Sequence, residues 1–149
     1  MSIGKFCRRN VVCAVPDTTI VDAAQLMRRN HVGNLIVVDK PGAERRPIGI
    51  VTDRDIVVEV LGNDLDPAQT TVAQVMSSRL VIAQETEDTA VAVERMHMHG
   101  VRRMPIVNHS GSLVGVFTLD DAVKLLAARA AEFVDIADKG QTHERRTRR

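Results

Sequence analysis

The 149-residue sequence predicts a mixed α/β fold of the α+β type, made of two copies of one small unit. Two observations predict it. The stretch GIVTDRDI at residues 49–56 returns as GVFTLDDA at 115–122, and an amphipathic helical pattern precedes each copy. Half of this chain would bury too little surface to be stable alone. We therefore expect two three-stranded sheets, each with two helices, packed sheet to sheet.

The first helix of each copy is predicted by apolar residues at i, i+3, i+4 and i+7, the spacing of one helix face. A shift of 69 residues aligns the two stripes, which are Ile20, Ala23, Ala24 and Met27 in the first copy and Thr89, Ala92, Val93 and Met96 in the second. Both copies therefore contain the same helix.

The strands follow the same duplication. β-rich runs at 11–13 and 80–82 precede the helices, and further strands are predicted at 35–38 and 48–51, and at 104–107 and 113–117. The offset falls to 66 after the loop 40–47 (KPGAERRP), which is three residues longer than its counterpart around 109–112. Second helices are predicted at 53–61, with Gly62 as the C-terminal cap, and at 119–133. The predicted domains are 6–66 and 74–135, with a linker at 63–73 and a basic, flexible tail at 136–149.

Composition limits the function classes. A formal net charge of +1 gives no overall attraction to nucleic acid or membrane, and no apolar run approaches the roughly 18 residues of a membrane span. The first ten residues lack the apolar stretch of a signal peptide, so we expect a cytoplasmic protein. Residues 139–149 are basic, because they contain five Lys or Arg residues and one acidic residue, Glu144. The scarcity of aromatic residues in the chain nevertheless argues against a surface on which nucleic-acid bases could stack.

Side chains that could carry chemistry are present but poorly spaced for it. Cys7 and Cys13 match no zinc or redox spacing, and we expect free thiols with Cys13 packed in a strand. His97 and His99 are two residues apart, so they point to different sides of a helix and predict no metal site. No nucleophile or base stands at a suitable spacing from Asp53, Asp55, Asp120 and Asp121, so the sequence predicts no enzyme.

The repeated Thr-x-x-Asp allows two interpretations. Thr52 and Thr118 are suited to cap a helix, with Asp55 and Asp121 three positions later favouring the helix dipole. A reciprocal capping box prefers Glu or Gln, whose longer side chain reaches back to the cap, so Asp in both copies is more than capping requires. A strand end that leads into a helix also suits a phosphate, and a carboxylate there suits the paired hydroxyls of a ribose. The residues alone leave both interpretations open.

The duplicated pattern resembles the cystathionine-β-synthase (CBS) domain. The resemblance lies in VVCAVPDTTIVDAAQLMRRNHVGNLIVVD and PIGIVTDRDIV in the first copy, and in LVIAQETEDTAVAVERMHMHGVRRMPIVN and LVGVFTLDDAV in the second, and covers roughly residues 6–135. It implies two copies packed through their sheets as a pseudo-twofold pair, a flat homodimer, and clefts that bind adenosine-type ligands: AMP, ADP, ATP, NAD or S-adenosylmethionine. It implies no obligatory cofactor.

The resemblance also implies residue roles. Asp55 and Asp121 would hold ribose hydroxyls, and Thr52 and Thr118 the ribose or phosphate. Backbone and apolar groups would form the adenine slot near Cys13, Val32, Ile82, Val101 and Met104.

The two predicted sites are unequal. Arg102 and Arg103 precede Met104 and Pro105, where other family members place basic residues that meet phosphates. The first copy has Gly33 and Asn34 there, and Ile36 in place of Pro105, so Arg45, Arg46 or Arg54 would have to substitute.

The leading functional hypothesis is a non-enzymatic sensor in which ligand occupancy changes the paired copies and an unidentified protein detects the change. The alternatives are a structural or protein-interaction module with vestigial clefts and, more weakly, a nucleic-acid-binding protein that uses the Arg-rich tail.

Overall fold

A computed structural model describes residues 1–147 of the chain. The chain divides into two compact units. Met1–Phe117 contains nearly all of both sheets, and the second unit begins at Thr118 and consists of one long helix. The two three-stranded sheets confirm the predicted fold class.

Each sheet has the same strand order. The strands are β1 (Cys13–Ala14), β2 (Asn34–Val38) and β3 (Pro47–Thr52) in the first sheet, and β4 (Ala83–Gln84), β5 (Arg103–Val107) and β6 (Leu113–Thr118) in the second. The order is β1-β2-β3 and β4-β5-β6, with a parallel pair first in each sheet. The first strand of each sheet begins two or three residues later than predicted, and the other strands begin within one residue of the prediction.

The first helices of the two copies are α1 (Ile20–Asn30) and α4 (Thr89–His99). Their buried positions are Ile20, Ala23 and Met27 in α1 and Thr89, Ala92 and Met96 in α4. The predicted i+4 positions, Ala24 and Val93, are exposed in both copies. The helices therefore pack through a narrower row of residues than predicted.

The second helix of the first copy has the predicted extent but a different winding. It begins as α2 (Asp53–Asp55) and continues as a π-helical segment (Ile56–Leu61). The Gly62 N–H donates to the carbonyl of Val57, five residues earlier, at 2.9 Å. Gly62 is the C-terminal cap of this segment, as predicted, and its φ of −64° lies in the right-handed region. Glycine fits here because a Cβ would collide with the carbonyl oxygen of Val58.

Helix α5 (Leu119–Thr147) is much longer than the predicted 119–133. Residues 136–147 of the predicted tail are therefore helical, while 148–149 lie outside the described residues. Two ion pairs at helical spacing support the extension, Arg129 with Glu132 at 3.2 Å and Lys139 with Asp135 at 2.6 Å. None of the helices within residues 1–147 combines the length and the apolar character needed to cross a membrane.

The segment before each copy packs on the other copy. A 3₁₀ turn (Ile3–Lys5) precedes the first copy, and α3 (Val72–Val75) precedes the second. The Ile3 N–H donates to Glu87 at 2.8 Å, and the Val72 N–H donates to Thr18 at 2.8 Å, which is the same bond under the 69-residue shift. We name residues 2–8 and 71–77 the leader segments. The first leader segment overlaps the start of the predicted first domain, and the second overlaps the end of the predicted linker. Both regions therefore make structural contacts.

The motif glycines face these leader segments. A Cβ on Gly49 would lie 2.5 Å from Sδ of Met76, and one on Gly115 would lie 2.5 Å from Sγ of Cys7. Beside them, Ile50 pairs with Ser77 and Val116 pairs with Arg8 through backbone bonds of 2.9 Å. The glycine of the repeated motif therefore lets a leader segment lie directly on the strand.

The two sheets meet through an apolar cluster. Its buried members are Ile36, Val38 and Leu113, and Val11, Cys13, Val15, Ile50 and Val116 pack around them. Because these residues come from both sheets, the predicted sheet-to-sheet packing is confirmed. The other face of the first sheet packs against α1, with Leu35, Val37 and Val51 buried there.

Candidate functional site

The first Thr-x-x-Asp forms a reciprocal capping box where β3 ends and α2 begins. The Asp55 N–H donates to the Thr52 hydroxyl at 3.1 Å, and the Thr52 N–H donates to Oδ2 of Asp55 at 2.8 Å. Both residues are half-buried. The cap fixes the Asp55 carboxylate at the end of the strand.

The second Thr-x-x-Asp repeats this arrangement. The Asp121 N–H donates to the Thr118 hydroxyl at 3.2 Å, while Oδ2 of Asp121 accepts the Thr118 N–H at 3.0 Å and the Thr118 hydroxyl at 2.7 Å. The expectation that Asp is too short for a reciprocal cap is therefore wrong in both copies. Helix capping therefore accounts for part of the repeated Thr-x-x-Asp pattern that suggested a ligand contact.

Gly33 and Asn34 lie beside the first cap. Asn34 pairs with Thr52 across β2 and β3, and the Asp53 N–H donates to the Gly33 carbonyl at 3.0 Å. A Cβ on Gly33 would lie 3.0 Å from Oδ2 of Asp53. Asp53 is thus a neighbour of the site that the family pattern did not indicate. We name Gly33, Asn34, Thr52, Asp53 and Asp55 the first-copy cradle.

The predicted adenine-slot residues of the first copy do not share one face. Cys13 is half-buried and packs with the inter-sheet cluster, whereas Val32 packs with the cluster between the sheet and α1. Burial raises the pKa of the Cys13 thiol, and the smaller effect of the Arg45 guanidinium opposes it. Both cysteines are free thiols, as expected.

The predicted adenine-slot and phosphate-binding residues of the second copy differ in accessibility. Ile82 is 41% exposed, Arg102 is exposed and Arg103 is half-buried, whereas Met104 and Pro105 are buried. Val101 is half-buried at the end of α4, where its N–H donates to Met96 at 3.0 Å.

The structure separates Arg45 and Arg46 from the first-copy cradle. Their loop joins Val38 to Pro47, while Asn34 and Thr52 pair at the opposite end of the same hairpin. Four residues of strand separate the two ends, or about 13 Å. The proposed substitution of Arg45 or Arg46 for a phosphate-binding arginine is therefore not supported, and Arg54 in α2 is the remaining candidate.

Arg95 is a further difference between the copies. Its guanidinium donates to the carbonyl of Ile82 at 2.8 Å and pairs with Glu87 at 2.9 Å. The 69-residue shift places Leu26 and Thr18 at the corresponding positions of the first copy, so only the second copy has this bond. Comparing the aligned copies position by position would have found it.

No group of three or more His, Cys, Asp or Glu side chains within residues 1–147 is arranged to hold a metal ion. The polar groups of the first-copy cradle instead present hydrogen-bonding oxygens and backbone edges, which suit an organic ligand with hydroxyl groups.

The fold and the twice-repeated cap define a tandem-repeat α/β module. The family profile of the CBS domain matches residues 3–62 and 72–128. The chain belongs to the CBS domain family.

Relatives and solved structures agree with this assignment. An uncharacterized protein of Methanopyrus kandleri is 32% identical over 125 residues, 84% of this chain and 62% of that protein, so the chain spans less than two thirds of it. The CBS domain-containing protein YhcV of Bacillus subtilis is 36% identical over 111 residues, 74% of this chain and 75% of that protein. A CBS domain protein of Pyrobaculum aerophilum, solved in complex with AMP, is 26% identical with a TM-score of 0.72, covering 87% of this chain and 99% of the other.

Proposed function

We propose that the chain is a non-enzymatic regulatory module that binds an adenosine-type ligand at the first-copy cradle. The candidate ligands are AMP, ADP, ATP, NAD and S-adenosylmethionine. The observation that carries the proposal is the divided use of the Asp55 carboxylate. Oδ2 caps the helix, and within residues 1–147 no hydrogen bond engages Oδ1.

An uncommitted carboxylate oxygen at a fixed position suits a ribose. The 2′ and 3′ hydroxyls are paired donors, and a charged acceptor forms stronger hydrogen bonds with them than a neutral one. Because the cap holds Asp55, little side-chain entropy is lost when a ligand binds. The AMP complex of the Pyrobaculum protein supports this class of ligand.

The regulatory part of the proposal concerns how binding is transmitted. A ligand shifts an equilibrium between two arrangements only by the difference in its affinity for them. We propose that a protein partner detects this shift and that the module acts as a homodimer in the cytoplasm.

A second candidate function is a protein-interaction module whose clefts bind nothing. Large apolar side chains on α5 favour it, since Leu126, Phe133 and Ile136 are 70%, 73% and 65% exposed. The two candidates differ in their response to adenosine compounds.

Calorimetry and thermal unfolding with the five ligands test the proposal. A ligand at a hundred times its Kd should add about 2.7 kcal/mol to the free energy of unfolding if it binds only the folded state. Asp55→Asn keeps an oxygen for the cap but removes the charge. We therefore expect the ligand affinity to fall roughly tenfold or more, with little change in the free energy of unfolding of the ligand-free protein.

The matched control is Asp22→Asn, which removes a carboxylate from an exposed position in α1. It should leave the affinity unchanged. If none of the five ligands binds the unmodified protein, the interaction-module candidate replaces the proposed function.

A further inference from the structure

Helix α5 carries a continuous apolar stripe along one face. Its members recur at alternating intervals of three and four residues, which is the spacing of a helix face that packs against another helix. We name them the α5 stripe: Val123, Leu126, Ala130, Phe133 and Ala137. All five are exposed. A contiguous run of exposed apolar side chains indicates a surface that binds another protein.

The rest of the helix is arranged around this stripe. Val134 and Ile136 are exposed on either side of it and widen the apolar surface. The ion pair between Lys139 and Asp135 lies on the opposite face of the helix. The match to the CBS family profile ends at residue 128, before Ala130. Most of the α5 stripe is therefore outside the pattern that defines the family.

The α5 stripe is complementary in size to itself when two helices run antiparallel. Ala130 then lies opposite Phe133 of the other molecule, and Leu126 lies opposite Ala137, because both pairs are centred on the same point between residues 131 and 132. Each layer places a large side chain against a small one, which lets the side chains interdigitate without voids. In a parallel pair Phe133 would face Phe133, and Ala130 would face Ala130.

The charges at the ends of α5 favour the same orientation. The first turn contains Asp120 and Asp121, and the last described turn contains Arg145 and Arg146. Antiparallel pairing brings the acidic end of each helix toward the basic end of the other and opposes the two helix dipoles. A parallel pair would place like charges side by side. Size and charge therefore agree on the antiparallel arrangement.

We propose that the α5 stripe is a dimer interface, which binds the α5 stripe of a second molecule of this chain in antiparallel orientation. The occupant is the same chain, because a surface that is complementary to itself is what a twofold interface requires. The inference rests on the homodimer of the proposed function, since it specifies the surface that holds the two molecules together. It does not depend on ligand binding.

Sedimentation velocity of the full chain, over a wide range of protein concentration, tests the interface. We expect the unmodified chain to form a dimer. Phe133→Glu should raise the dissociation constant of the dimer about a hundredfold or more, because it places an unpaired carboxylate against Ala130 of the other molecule. Ala128→Glu is the matched control, since it adds the same charge to an exposed position on the opposite face of α5. It should leave the dissociation constant unchanged.

Disulfide formation tests the orientation. Leu126→Cys and Ala137→Cys are made as separate proteins in a Cys7→Ser and Cys13→Ser background, and each is oxidised alone or mixed with the other. Antiparallel pairing places the two introduced thiols side by side only in the mixture. Identical positions would be about 16 Å apart along the helix axis, which is too far for a disulfide. We therefore expect a disulfide-linked dimer from the mixture and none from either variant alone.

The outcomes separate this interface from the rest of the proposed function. A dimer that is as stable in Phe133→Glu as in the unmodified chain would refute the α5 stripe as the interface, while the homodimer would stand. A monomer at every concentration would refute both, without bearing on the calorimetry of ligand binding. A disulfide in either variant alone, or none in the mixture, would overturn the antiparallel pairing.

Discussion

Under the proposed function, Asp55 would combine a structural and a binding use, because its two carboxylate oxygens have different surroundings. Oδ2 accepts the Thr52 N–H at 2.8 Å and closes the cap. A ligand contact through Oδ1 therefore requires no rearrangement of the cap. A side chain that already stabilises the fold is held in place, so in the proposed function folding and recognition would share the same residue.

Cys13 provides a chemical probe of the first copy. Burial raises the pKa of its thiol and the Arg45 guanidinium lowers it to a smaller extent. Arg45→Gln should therefore raise the pKa of Cys13 further, reduce its thiolate fraction at pH 8 and slow its alkylation by iodoacetamide. Rates are measured in a Cys7→Ser background, where Cys13 is the only thiol.

The control for this measurement is Arg46→Gln, since Arg46 is the neighbouring arginine of the same loop and lies against Gly111. Equal effects of the two substitutions, or faster alkylation of Arg45→Gln, would contradict the assigned role of Arg45. Protection of Cys13 by a bound adenosine compound would add support for the predicted slot.

At the scale of elements, the glycine of the repeated motif is explained by packing. Gly49 in β3 and Gly115 in β6 each face a leader segment across a short backbone pairing. A side chain at either position would push the leader segment away from the strand. The motif thus combines a packing position, Gly, with a capping and candidate binding pair, Thr and Asp.

Gly49→Ala tests this explanation. Its Cβ would lie 2.5 Å from Sδ of Met76 and 3.1 Å from the backbone oxygen of Ser77, so the free energy of unfolding should fall by about 1–3 kcal/mol. Gly140→Ala in α5 is the control, because no atom lies within 4 Å of its Cβ and alanine favours a helix by about 1 kcal/mol. Urea denaturation measures both, and equal effects of the two substitutions would refute the packing role.

Much of this element structure could be predicted from the sequence because it depends on local periodicity. The spacing of Ile20, Ala23 and Met27 predicts α1, and the duplication then predicts α4. The length of α5 and the π-helical hydrogen bonding after Asp55 could not be predicted. Each depends on which of several local conformations the surrounding structure favours. The contact of Asp53 with Gly33 could not be predicted, because it joins residues twenty positions apart.

At the scale of the unit formed by Met1–Phe117, the two copies hold each other through exchanged leader segments. Ile3 and Val72 are both fully buried, although each precedes the copy to which it belongs by sequence. Neither sheet therefore keeps all its packing contacts if the other copy unfolds. Two kinds of contact make this unit one cooperative body. Each leader segment packs on the other copy, and an apolar cluster joins the two sheets.

Ile3→Ala tests this coupling. The substitution removes a fully buried side chain from a segment whose backbone bonds to the second copy, so the free energy of unfolding should fall by about 2–5 kcal/mol. Because the leader segments are reciprocal, we expect a single urea transition at lower midpoint, with amide exchange increasing in β2 and β3 of the first sheet as well as in β5 of the second. Val91→Ala, at a 48% exposed position of α4, should change the free energy of unfolding by about 0.5 kcal/mol or less. Two separate transitions, or faster exchange confined to β5, would show that the copies unfold independently and that the exchanged segments do not couple them.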